Sequence, residues 1–293
     1  MKSKIRYIVW EECKKVWTAP SFWITILCTA VICFTATLYV DMQGKNYSIA
    51  ETVGMFSLEQ MLAERKFSSI SVASNGTAGY FITLSPMLVG IALIEMLCGE
   101  RKYKTAYIAI QRTGRWKIII GKFFSAVLCG GMVLTGGYIL FILIVYGIFP
   151  SASLYEDPIE SYQILSLHPW SIDGSMELGI LLELVLSVFL FGVIITMLVY
   201  SLTIFFTNTY LVVCIPFLLL DLLRKFFNIM GKQEGLQGTI MEQVNLYGNP
   251  INALSVFQRE DFVLQYLGVY TVVSVLLLFI HWKVMKGRWD CGT

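Results

Sequence analysis

Charge is scarce in this 293-residue chain: 14% of its residues are charged and 56% are apolar. That balance excludes an ordinary soluble globular domain, in which about a quarter of the residues carry charge. Histidine is scarcer still. His168 and His281 fall in an outer loop and at an inner span end of the topology derived below, so they cannot share a metal, and no metal site is expected. None of the seven cysteines lies in an outer loop of that topology. Cys13 and Cys291 fall in inner segments, and Cys28, Cys33, Cys98, Cys129 and Cys214 lie in apolar runs or at their ends, which excludes an exoplasmic disulfide. A phosphate-binding loop is also missing. The nearest stretch, from Gly114 to Gly121-Lys122, has the wrong spacing and is followed by Phe123, so ATP is not expected to bind this chain through such a loop. Glu11 and Glu12 have no intramembrane His or Arg to complete a protease site. A cleavable leader is not expected either, because the first 19 residues carry seven charges and two Trp before any apolar run.

Long apolar runs are abundant. A hydrocarbon layer of about 30 Å takes roughly 20 helical residues, and runs of that length stand at 21–40, 79–98, 123–149 and 263–282. A longer run, from about Leu178 to Leu223, would reach about 69 Å as one helix and must cross twice. Thr207, Asn208 and Thr209 are its only central polar cluster and are turn and cap formers, which divides it into spans 178–206 and 209–223. The expected fold is an all-α integral membrane protein with six transmembrane helices in a single domain, 1–293, in contact with the lipid bilayer.

Orientation follows from the basic residues, which stay on the cytosolic side of short loops. Segments 1–19, 99–122 and 283–293 hold 15 Lys and Arg against four acids, whereas 41–78, 150–176 and 224–262 hold seven against twelve. Both termini are expected in the cytosol. Residues 4–17 place Ile5, Val9, Cys13, Val16 and Trp17 on one stripe, with Lys4, Glu11, Lys14 and Lys15 largely opposite. This predicts an amphipathic elbow helix at the membrane surface, and simple cationic anchoring explains the same pattern. Residues 50–66 carry Met55, Phe56, Leu58, Met61 and Leu62 at helical spacing, as in a helix resting on the outer leaflet.

Within the spans, few residues are equipped for chemistry. Glu95, Glu183 and Asp221 are candidates for ion coupling, as intramembrane carboxylates are by default, although each lies near a span end and within reach of interfacial water. Gly130, Gly131, Gly136 and Gly137, with Ala126 in small-xxx-small spacing to Gly130, predict close helix packing, including packing within a dimer. Pro86 and Pro216 predict kinks.

One dense cationic stretch interrupts this apolar background: positions 99–122 hold seven of the 22 Lys and Arg residues. Its charges alternate with Tyr103, Tyr107, Ile108, Ile110 and Trp116, predicting a short amphipathic cytosolic helix between spans two and three, suited to a protein partner or to lipid head groups. Glu100, Lys104-Thr105, Arg115 and Gly121-Lys122 occupy places characteristic of one family. In spacing, this region resembles the permease subunits of type-2 ATP-binding-cassette exporters, with Lys104 where that family has Gly and no proline before the Arg. The likeness extends to the charged N-terminus, the six spans, the tight turn at Thr207 to Thr209 and the NPINAL stretch at 249–254.

The resemblance implies a noncatalytic plasma-membrane subunit. It would form the translocation pathway with a second permease subunit, identical or homologous, and would be driven by separate cytosolic ATPase subunits. Glu100, Tyr103, Lys104, Thr105, Tyr107, Arg112 and Arg115 would receive the ATPase. The chain itself would bind no cofactor, ATP and Mg residing in the partner, and no nucleic acid is implied. The apolar, aromatic spans fit an antimicrobial peptide, a drug or another amphipathic cargo. An ion-coupled secondary carrier and a polytopic membrane enzyme or sensor are the alternative readings.

Overall fold

A computed structural model describes residues 2–42, 44–94, 96, 115–155, 176–202, 208–231, 249, 251–254, 268–273, 275–276, 279–280 and 283. Those residues are mostly helical, with one small two-stranded sheet.

The chain opens with α1 (Lys2–Thr18) and α2 (Pro20–Cys33). Ala19 precedes a proline and takes the extended conformation this requires, with φ −73° and ψ 131°. The helix stops there, restarts with Pro20 in its first turn, and the two pieces meet at a 66° bend. The Trp23 indole N–H closes the corner with a 2.9 Å bond to the Trp17 carbonyl. On α1 the inward stripe holds Cys13 and Val16 as the sequence predicts, and Trp17 is half-buried on it.

The run read as a span over 21–40 is helical only to Cys33. Thr37–Val40 form strand β1, antiparallel to β2 (Asn46–Ser48) through a turn in which Gly44 takes φ +78°. The stretch TLYV is β-branched and aromatic, which favours a strand over a helix. The helix expected over 50–66 is two helices, α3 (Ile49–Met55) and α4 (Leu58–Ala63). Ser57 breaks it, because its hydroxyl and the Gln60 side chain form a reciprocal capping box that starts α4. Phe56 at the break turns inward and packs its ring edge-on against Tyr39 at 5.4 Å and tilted against Phe67 at 5.0 Å. Lys66 lies 4.1 Å over the Tyr39 ring. Met61 is buried, while Met55 and Leu58 stay exposed.

Next come α5 (Ser69–Asn75) and α6 (Tyr80–Ala92), then the two longest helices, α7 (Arg115–Ile148) and α8 (Met176–Leu202). These last two helices are long and apolar enough to cross a membrane, with mean hydropathies of 2.3 and 2.7 in their spanning regions; the bent α1–α2 pair makes a third span if taken as one. Among the described residues the architecture is therefore that of a helical membrane protein with two or three such helices. Residues α9 (Thr209–Gly231) run past the expected span end at Leu223, and residues 268–273 are again helical. Half of 263–282 lies outside the described residues, as does Thr207 of the turn expected at Thr207 to Thr209, while α9 starts at Thr209 of that turn.

Glycines set the spacing of the central helices. A Cβ on Gly131 would fall 2.7 Å from Phe189, one on Gly130 would collide with Thr196, and one on Gly192 would meet the Gly131 backbone at 2.9 Å. So α7 and α8 touch almost backbone to backbone. Further along α7, Gly136 and Gly137 receive Ile26 and Thr29 of α2.

Candidate functional site

Neither α5 nor α6 is long enough to match α7 alone, yet together they run beside it in the opposite sense. Ser69 N–H donates to the Pro150 carbonyl at 2.9 Å, Tyr138 donates to the Ala73 carbonyl at 2.9 Å, and Gly76 lies against the Phe141 ring. At the far end the Ser125 hydroxyl lies 3.8 Å from the Met96 sulfur. The stretch expected as one helix over 79–98 is thus the second part of a broken element, divided at residues 76–79. Gly79, with φ +63°, ends the break and starts α6 in a conformation that a β-carbon disfavours.

The cationic loop enters beside this element and leaves by α7. Glu100, Tyr103, Lys104, Thr105, Tyr107 and Arg112 lie outside the described residues, as does Glu95. Arg115 begins α7, so that helix starts two turns before the expected span edge at 123. Met96, on one side of the loop, is buried against Ser125 of α7, and Arg115, on the other, is the first residue of the same helix.

The base of α7 is clasped by α1. A Cβ on Gly121 would lie 2.7 Å from Ile8, and the free thiols of Cys13 and Cys129 are both buried. Glu12 is buried in the same helix face, with Oε1 accepting from Lys15 Nζ at 2.9 Å and Oε2 without a hydrogen-bond partner. Its burial was not legible, because the acidic pair precedes the first apolar run.

The remaining carboxylates are spread along the helices. Glu183 is half-buried on α8. Glu177 accepts a 2.6 Å bond from the Tyr146 hydroxyl, joining the start of α8 to the end of α7. Asp221, a candidate for ion coupling, is ion-paired with Lys225 at 2.7 Å. One turn further, Arg224 Nη1 donates to Thr83 Oγ1 at 3.3 Å. Sequence reasoning placed Arg224 just outside the fifth span and so passed over it. The signal was available: Arg224 continues the buried stripe Val213, Pro216, Leu220.

The third-span glycines call for a correction to the dimer argument. Gly130, Gly131, Gly136 and Gly137 are filled by α8 and α2 of the same chain, and Ala126 is fully buried, so these residues are not free to pack against another subunit. Among the described residues no group of three or more His, Cys, Asp or Glu is placed to hold a metal. Comparisons with family models, curated proteins and solved structures return no match to this chain.

Proposed function

We propose that the chain is the membrane-spanning subunit of an ATP-driven exporter, a six-span plasma-membrane permease with both termini in the cytosol, working beside a second permease subunit and above separate ATPase chains. The observation that carries this reading is the anchoring of the cationic loop. Its two ends, at Met96 and Arg115, are tied to one helix, α7, whose base is clasped by the basic helix α1. A push on residues 97–114 is therefore delivered to α7, and through the glycine contacts to α8 and α2. A loop that only bound lipid head groups would need no such rigid seat. The elbow reading of α1 is kept in modified form: its polar side, with Arg6, Tyr7, Trp10 and Lys14 exposed, faces the interface, and its other side grips α7.

Ion coupling has less support, since Asp221 is already neutralised by Lys225. The decisive experiment is copurification in mild detergent followed by reconstitution. A stoichiometric P-loop ATPase should accompany the chain, and Glu100→Ala or Arg115→Ala should abolish cargo-stimulated ATP hydrolysis while leaving insertion intact. Removing one partner of a desolvated charged contact costs about 2 to 5 kcal/mol. Normal stimulation in both variants, or ATP hydrolysis by the purified chain alone, would overturn the proposal.

A further inference from the structure

The depth of Arg224 follows from its neighbours. Two residues before its partner Thr83, the Phe81 ring packs 6.0 Å from that of Phe191. Phe191 lies about 21 Å along α8 from Glu177, and Glu177 is bonded to Tyr146 near the end of α7. The Arg224 and Thr83 pair is therefore roughly 20 Å below the Ile148 end of the bundle, at a level flanked by the long apolar helices α7 and α8. A guanidinium at that depth is costly and is held only where it is paired or used.

Among the described residues no carboxylate neutralises it. Asp221 is committed to Lys225 and Glu177 to Tyr146, so Asp221, Arg224 and Lys225 together carry a charge of +1. A guanidinium has five N–H donors in a planar fork suited to two oxygens of one oxyanion. The bond to Thr83 is long, at 3.3 Å, and leaves that fork available. Access is provided by the chain break. Residues 78–80 are exposed, and a β-carbon on Gly79 would meet nothing within 4 Å, so the backbone one turn from Thr83 is open to approach.

We propose that Arg224 and Thr83, beside the break between α5 and α6, bind the anionic group of an amphiphile, a phosphate or carboxylate, whose apolar chain leaves past Tyr80. This assigns a charge class to the cargo. The assignment of that amphiphile as cargo rests on the exporter reading; the binding itself does not.

The test uses the full chain in phosphatidylcholine nanodiscs without any ATPase, titrated by calorimetry with dodecyl phosphate, dodecyltrimethylammonium and inorganic phosphate. Dodecyl phosphate should bind at least about tenfold more tightly than either comparison compound, and Arg224→Gln should remove at least about tenfold of that affinity. Arg224→Lys should keep part of it, and Thr83→Val should lose a few-fold. Equal affinity for the anionic and cationic probes, or unchanged affinity in Arg224→Lys and Thr83→Val together, would overturn the site even if Arg224→Gln failed to fold. Adding phosphatidylglycerol to the nanodisc separates the two sources of the anion. Undiminished probe affinity supports a cargo site, and loss of affinity overturns the cargo role in favour of a lipid. Because no ATPase is present, failure here leaves the exporter reading standing, and failure to copurify an ATPase leaves the binding result standing.

Discussion

The Tyr138 hydroxyl, fully buried on α7, donates a 2.9 Å hydrogen bond to the carbonyl of Ala73. The contact falls in the last turn of α5, where amide donors run short, and adds a second donor to a carbonyl that also accepts from the Gly76 N–H at 3.2 Å. A side chain from another helix thus serves as part of the cap that lets the second element break inside the bundle.

Replacing Tyr138 by Phe keeps the ring packed on Phe141 but removes that bond. Because Ala73 keeps the bond from the Gly76 N–H, the loss should cost about 0.5 to 1.5 kcal/mol. The expected outcome is faster amide exchange in α5 with little change in α8. Uniformly faster exchange throughout would show that the bond has no local capping role.

The glycine seam predicts a graded series. In Gly192→Ala the added methyl meets the Gly131 backbone, which cannot rotate away, at 2.9 Å. It should destabilise by about 1 to 3 kcal/mol or more. Gly147→Ala has open space around it and should be neutral or stabilising by up to about 1 kcal/mol, from helix propensity alone. Thermal unfolding of the two purified variants checks the ordering, and equal midpoints would contradict the seam.

The charge pattern predicts sidedness. In a cysteine-free background, Ser153→Cys and Gln237→Cys should react with an impermeant thiol reagent in intact cells, whereas Lys102→Cys should react only after permeabilisation. The opposite labelling pattern would invert the proposed topology.

Glu51 closes the capping box at the start of α3. Bonds from the Ser48 backbone N–H and hydroxyl, at 2.8 and 2.9 Å, hold its carboxyl below the usual range. A depressed folded-state value means that the stabilisation is complete above the ordinary carboxylate range and is lost as pH falls through the depressed value. Wild type and Glu51→Ala should therefore differ in unfolding midpoint at neutral pH and converge in acid. A gap that persists unchanged at the acid end would remove the charge from the explanation.

Much of the helical plan could be read from the chain, because apolar length and cationic punctuation are strong signals. Arg115 to Ile148 and Met176 to Leu202 lie close to the expected runs. Events within apolar runs were harder to read. Thr37 to Val40 are as apolar as the helix before them, and only their β-branched, aromatic character marks a strand. Ser57 interrupts a helical stripe through a reciprocal hydrogen bond that hydropathy does not register. The break at Gly76 and Gly79 was not anticipated, because it depends on Phe141 and Tyr138, more than 50 residues away, to stabilise it. Arg224 was legible as a charge and hidden as a depth, since its level depends on Thr83 and Phe81 from another helix.

A helix passes a tilt or twist along its length only through its continuous ladder of i to i−4 bonds. Where residues 76–79 interrupt that ladder, a displacement entering α6 from the Met96 end stops at Gly79. The α5 half stays fastened to α7 by Ser69 and Tyr138. The segment thus behaves as two levers on one pivot, so its halves can move independently at different times, and the small folded cap formed by residues 34–75 need not shift when the opposite end of the bundle does.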